Sequence, residues 1–248
     1  MKVLDLFSGI GGFALGLEAA GFETVAFCEI DPYAQKVLKK NWPGVPIYDD
    51  VRRITADRLV SDGVGVDVIT GGFPCQDISV VGHRAGITAE RSGLWSECAR
   101  LLGEIRPRYA IFENVTNLLN GDGGNWFKRV LWDISSVGYD AEWHCIPASA
   151  IGAHHHRDRV WIVAYPQGVG LQVSDQQHGL SPEEDRQRVT LSGCDFGKQH
   201  FADEPNVGRV AHGVPARSYR LRCLGNAVVP QIPELIGRQI MEAERGRA

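Results

Sequence analysis

Apolar residues in the first two-thirds of the chain fall into short runs separated by stretches of helical spacing. Val3–Phe7, Thr24–Cys28, Val66–Thr70, Tyr109–Phe112 and Arg159–Ala164 read as strands. Phe13–Ala20, Pro32–Asn41, Ser92–Ile105 and Asn125–Val137 read as helices, and the short run Val45–Tyr48 as a further strand. The runs are nearly continuous rather than alternating, as strands of a parallel sheet buried on both faces should be. Pro32 suits a first helical position with Asp31 as its cap, and Gly138 suits a helix stop. Alternating strand and helix predicts an α/β fold, a mostly parallel sheet with helices on both faces. After Tyr165-Pro166 the pattern dissolves: residues 166–205 are rich in Gly, Gln, Ser, Asp and Pro. Order resumes over Val207–Leu224, and helical spacing over Asn226–Ala243 (Val229, Ile232, Leu235, Ile236, Ile240) predicts a final helix packed back on the sheet.

Composition narrows this picture. The 248 residues, 44% of them hydrophobic, suffice for one sizeable α/β domain with a small appendage. No apolar run is long enough to cross a bilayer and the amino terminus lacks a signal-peptide layout, so a cytoplasmic location and no membrane partner are expected. The six cysteines form no Cys-x-x-Cys pair, which speaks against a zinc cluster or a disulfide framework. His154 and His156 have no matched third ligand, so no metal is expected. The net charge of −4 does not itself suggest a polyanionic partner, but Arg209, Arg217, Arg220 and Arg222 form a basic stretch without an acid.

Candidate chemistry gathers at the ends of the runs, the edge where open α/β sheets bind ligands. The first run leads into Phe7-Ser8-Gly9-Ile10-Gly11-Gly12-Phe13-Ala14, a G-x-G-x-x-A turn able to bring backbone close to a ligand. Glu29 ends the second run, where a carboxylate can hold ribose hydroxyls, and Asp50 follows the third. The glycines alone are compatible with a nicotinamide or flavin dinucleotide and with S-adenosylmethionine. Asp5, Glu29 and Asp31 favour the cationic sulfonium. The run Val66–Thr70 passes through Gly71-Gly72 to Phe73-Pro74-Cys75-Gln76, which delivers a thiol, and Tyr109–Phe112 delivers Glu113, followed by Asn114. A thiol nucleophile and an acid on one sheet edge suggest covalent catalysis. Arg157 and Arg159 share one side of an extended segment, and charges entering a buried strand require a polar or anionic partner.

In order and spacing these segments resemble the DNA cytosine-C5 methyltransferase family. Asp5–Gly12 resembles its cofactor loop, Glu29-Ile30-Asp31-Pro32 its ribose segment and Asp50-Val51 its adenine segment. Phe73-Pro74-Cys75-Gln76 resembles the nucleophile motif, Glu113-Asn114-Val115 the acid motif and Arg157-Asp158-Arg159 the arginine motif. Leu224-Gly225-Asn226-Ala227-Val228-Val229-Pro230 resembles the closing motif that returns to the cofactor. The resemblance implies a Rossmann-like methyltransferase sheet, mostly parallel with an antiparallel hairpin strand. Residues 1–165 and 224–248 would form the catalytic domain, and 166–223 a very small target-recognition region. It implies S-adenosylmethionine as cofactor, S-adenosylhomocysteine as product, no metal, double-stranded DNA as partner, and a monomer of a bacterial or phage modification system.

By the same resemblance Cys75 adds to C6 of a flipped-out cytosine and Glu113 hydrogen-bonds or protonates N3. Arg159 holds the O2 side, Arg157 the nearby backbone, and Asn114 orients the Pro74–Cys75 turn. Gln76, Ser79 and Arg84 belong to a loop that closes over DNA, where the basic stretch faces phosphates. Phe7, Ser8, Gly9, Gly11, Gly12, Glu29, Ile30, Asp50, Val51, Pro74, Leu94, Asn226 and Val228 make the cofactor pocket. His155 stands where the family usually has Gln. The alternatives are a DNA-binding homologue with impaired catalysis and an RNA cytosine-C5 methyltransferase.

Overall fold

A seven-stranded sheet in the order β3-β2-β1-β4-β5-β7-β6 organises the computed structural model, which describes residues 1–74, 93–169 and 223–247. The strands are β1 (Lys2–Leu6), β2 (Glu23–Cys28), β3 (Ile47–Tyr48), β4 (Val68–Gly72), β5 (Tyr109–Val115), β6 (Tyr139–Pro147) and β7 (Asp158–Pro166). The pairs β3-β2, β2-β1, β1-β4 and β4-β5 are parallel, whereas β7 is antiparallel to both β5 and β6. The mostly parallel sheet with an antiparallel hairpin is thus present. Reversal of β7 brings its first residues to the edge where β1, β2, β4 and β5 end. Arg159 lies opposite Val115 in that register.

Helices cover both faces: α1 (Gly12–Ala19), α2 (Pro32–Asn41), α3 (Ala56–Ser61), α4 (Leu94–Ile105), α5 (Asn117–Asn120), α6 (Asn125–Ser136) and α7 (Gln231–Arg245). On one face Leu4, Leu6, Ile69, Phe112 and Ile162 pack with Trp95, Leu101, Leu102, Val130 and Ile134 of α4 and α6. On the other, Val3, Val68, Ile111 and Trp161 pack with Phe13 and Leu17 of α1 and Ile232, Ile236 and Ile240 of α7. Burying each large aliphatic side chain stabilises the fold by about 1.5–3 kcal/mol, so successive residues of the central strands all contribute. This accounts for the unbroken apolar runs. The expected caps of α2 are also present: Asp31 accepts from the amides of Tyr33 and Ala34, with Pro32 in the first turn.

Three elements went unmarked by the apolar runs. Strand β6 is a sheet edge carrying Asp140, Glu142 and His144, so it has no continuous apolar stretch. Helices α3 and α5 are too short to show a helical period. The closing helix begins at Gln231 rather than Asn226. Residues 223–226 are helical, and residues 227–230 between them and α7 belong to neither helix.

Candidate active site

The turn after β1 needs backbone shapes that side chains disfavour. Gly9 has φ +54° and Gly11 φ +88°, and Phe7 adopts φ +52°. Ser8 secures the turn: its hydroxyl donates to the Asp5 carbonyl at 2.6 Å and accepts from the Cys28 amide at 3.2 Å. Both Glu29 oxygens are engaged by backbone, one accepting from Gly9 N and one from Asp31 N, each at 2.7 Å. The carboxylate therefore braces the loop while facing the same cleft. A Cβ on Gly9 would meet nothing within 4 Å, leaving that position open to the cleft. On Gly11 it would lie 2.5 Å from the Trp42 ring, and on Gly12 2.6 Å from the Val228 carbonyl oxygen. Those two glycines admit protein, not ligand.

The cleft has a volume of roughly 810 Å³. Of the residues assigned to a cofactor pocket, Phe7, Gly9, Glu29, Ile30, Asp50, Val51, Pro74, Leu94 and Asn226 line the cleft, while Ser8, Gly11, Gly12 and Val228 do not. Asp31 and Asp49 add to the acidic rim, and Arg52 pairs with Asp50 at 2.9 Å, holding that carboxyl below the usual range. Asp5 does not reach the cleft. It is fully buried beneath the turn, with Oδ1 accepting from the Thr70 hydroxyl at 2.6 Å and Oδ2 without a partner among the described residues. Burial, with the nearby charge of Glu29, pushes its carboxyl up to about 7.

Glu113, Asn114, Arg157 and Arg159 line the other end of the same cleft. Glu113 is buried near the end of β5, and Arg159 Nε lies 2.9 Å from its Oε1. Burial raises the Glu113 carboxyl above its ordinary value, opposed first by Arg159 and then by Arg157. Gly72 makes room for it, since a Cβ there would stand 3.3 Å from Glu113 Oε2. Asn114 Nδ2 donates to the Phe73 carbonyl at 2.8 Å, while its Oδ1 accepts from Val115 N at 2.9 Å. That side chain thus holds the turn leading to Pro74. Arg157 Nη1 donates to the Gly225 carbonyl at 2.6 Å and Nη2 to the Ala227 carbonyl at 2.7 Å.

A family model for C-5 cytosine-specific DNA methylases matches residues 1–202. The chain belongs to that family. Type II methyltransferase M2.BsuMI of Bacillus subtilis is 39% identical over 168 residues, covering 66% of this chain and 42% of that protein. Type II methyltransferase M.AquIA of Picosynechococcus is 30% identical, covering 80% of this chain and 83% of that one. A prophage-encoded Escherichia coli protein described as a DNA modification methyltransferase superposes with a TM-score of 0.59 at 28% identity, over 71% of this chain and 49% of that one. Spodoptera frugiperda DNMT2, at 23% identity and a TM-score of 0.55, shares the fold. The chain spans less than half the length of M2.BsuMI.

This cytosine methylase homologue brings the acid, both arginines and the expected carboxylates into one cleft. Cys75, Gln76, Ser79, Arg84, Arg209, Arg217, Arg220 and Arg222 lie outside the described residues, as does most of the expected recognition region 166–223. Among the described residues no cluster of three His, Cys, Asp or Glu could hold a metal. Sequence reasoning missed Asp49, Arg52, Cys28 and Cys223 as lining residues and Trp42 as the packing partner of Gly11. A signal for Trp42 existed: it ends α2 and donates from Nε1 to Glu18 of α1 at 2.8 Å, pinning its ring against the glycine turn.

Proposed function

We propose that the protein methylates C5 of cytosine in double-stranded DNA, using S-adenosylmethionine and a covalent bond between Cys75 and C6. The observation that carries this reading is one cleft with two chemically distinct ends. Gly9, Glu29 and Asp50 stand at the first, and the Glu113–Arg159 pair at the second. The open Gly9 position and the acidic rim fit a cationic, ribose-bearing cofactor, with Ile30 and Val51 offering apolar surface for a base. S-adenosylmethionine supplies the transferable methyl on a sulfonium.

The base must leave the helix, because C5 and C6 are inaccessible within the stack. Cys75 thiolate would add to C6, forming the S–C6 bond and moving electron density toward N3. Glu113 meets that density as hydrogen-bond or proton donor, and the elevation of its carboxyl by burial favours the protonated form. Arg159 would hold the O2 side and keep Glu113 oriented. Once C5 has accepted the methyl, a base removes the C5 proton, the S–C6 bond breaks, and the C5=C6 double bond is restored. Asn114, through the Phe73 carbonyl, sets the turn from which Cys75 departs. Residues 166–223 would carry the base-edge contacts, with Arg209, Arg217, Arg220 and Arg222 on phosphates.

Transfer of labelled methyl to duplex DNA but not RNA, with bisulfite sequencing of the product, tests the reaction and reveals its site. DNA containing 5-fluorocytosine should trap the protein covalently, and Cys75→Ser should abolish trapping. Persistent trapping by that variant would exclude Cys75 as the nucleophile.

A further inference from the structure

Arg157 stands apart from its neighbours in its backbone. Its φ of +34° lies in the left-handed region, which side chains rarely adopt, one residue before β7 begins. A non-glycine residue held there must be fixed by its surroundings. Its guanidinium supplies the fixing contacts, donating from separate nitrogens to the carbonyls of Gly225 and Ala227 at 2.6 and 2.7 Å. Residues 223–226 are helical. The last carbonyls of such a turn lack partners within it and carry partial negative charge, so a cation donating to the Gly225 carbonyl suits the terminus, while its second bond reaches the Ala227 carbonyl just beyond. The neighbouring acid, Glu113, is engaged by Arg159 instead.

The held segment matters to the cleft. Gly225 and Asn226 line it, and the Val228 carbonyl packs where a Cβ on Gly12 would be, against the first turn of α1. Resting on the reading above, we infer that Arg157 is a positioning residue. It clamps the 223–228 segment across the glycine turn and so governs cofactor affinity before any DNA is present. This differs from the DNA-backbone role that the family resemblance implies. A planar fork can reach two carbonyls at once, which a lysine ammonium on one flexible stem cannot reproduce.

The test measures S-adenosylhomocysteine binding calorimetrically without DNA for the wild type, Arg157→Ala and Arg157→Lys, alongside amide hydrogen exchange over residues 223–230. Loss of two charge-assisted hydrogen bonds should weaken binding on the order of tenfold to a hundredfold in Arg157→Ala. Arg157→Lys should fall between, and exchange should accelerate over 223–230 in both variants. In turnover, KM for the cofactor should rise while KM for DNA stays constant. Unchanged cofactor affinity with weakened DNA binding would overturn the clamp in favour of a DNA contact, and so would unchanged exchange. Should Arg157→Ala fail to fold, Arg157→Lys decides alone. If the wild type itself does not bind S-adenosylhomocysteine, the methyltransferase reading fails, and exchange in the unliganded variants still decides the clamp.

Discussion

Glu113 owes its chemistry to its place in the chain and to two neighbours, each legible at a different level. Its own position at the end of an apolar run was visible in the sequence. The space it needs comes from Gly72 on β4, and its charge balance from Arg159 on β7. Glu113→Gln should lower kcat by about two to four orders of magnitude while cofactor affinity stays near the wild-type value. Equal losses in both would mean that the side chain shapes the cleft rather than assisting the reaction. Asp5 yields a prediction of a different kind. The buried carboxyl titrates near 7, against 3.8 when exposed. Between those values the folded chain keeps a proton that the unfolded chain has released. Its contribution to stability is therefore greatest below the lower value and declines toward neutrality, by at most about 1.4 kcal/mol per pH unit. Urea melts of Asp5→Asn from pH 4 to 7 should show a flatter dependence than the wild type, and parallel curves would refute the assignment. Asp5 also marks where sequence reading erred. An acid beside a glycine turn suggested ligand contact, but the side chain's face was fixed by the pleat of β1, which directs it inward beside Thr70.

Helices α1 and α7 approach each other closely enough for glycine to matter. A Cβ on Gly16 would sit 2.0 Å from the Pro230 carbonyl oxygen, and one on Gly237 2.9 Å from Ala20 Cβ. Gly16→Ala must therefore push the closing helix away, with overpacking costs of about 1–3 kcal/mol. Gly65, whose Cβ would meet nothing within 4 Å, is the matched control. Gly65→Ala should be neutral or stabilising by less than about 1 kcal/mol through loss of unfolded-chain entropy. Thermal melts that show equal shifts for the two would contradict this packing. Strands β1, β2, β4 and β5 were readable because burial on both faces imposes apolar residues throughout. Strand β6 was not, because an edge strand with one wetted face needs no such run.

At the scale of the whole molecule, one inverted strand decides where the functional groups gather. Glu29 and Glu113 sit at carboxyl ends of parallel strands, but the arginines sit at the amino end of β7. Only its reversal puts them on the same edge. No periodicity in the sequence encodes that reversal, which follows from the hairpin with β6. It also sets a length requirement for engineering. Having begun beside the cleft, β7 carries the chain to the far side, where the Val169 carbonyl accepts from Arg247, whereas Cys223 is back at the cleft. The nine residues of β7 cover roughly 30 Å at about 3.4 Å each. Any foreign peptide grafted between positions 169 and 223 must cross that height, so about nine fully extended residues is the shortest splice that could leave the sheet and its cleft intact.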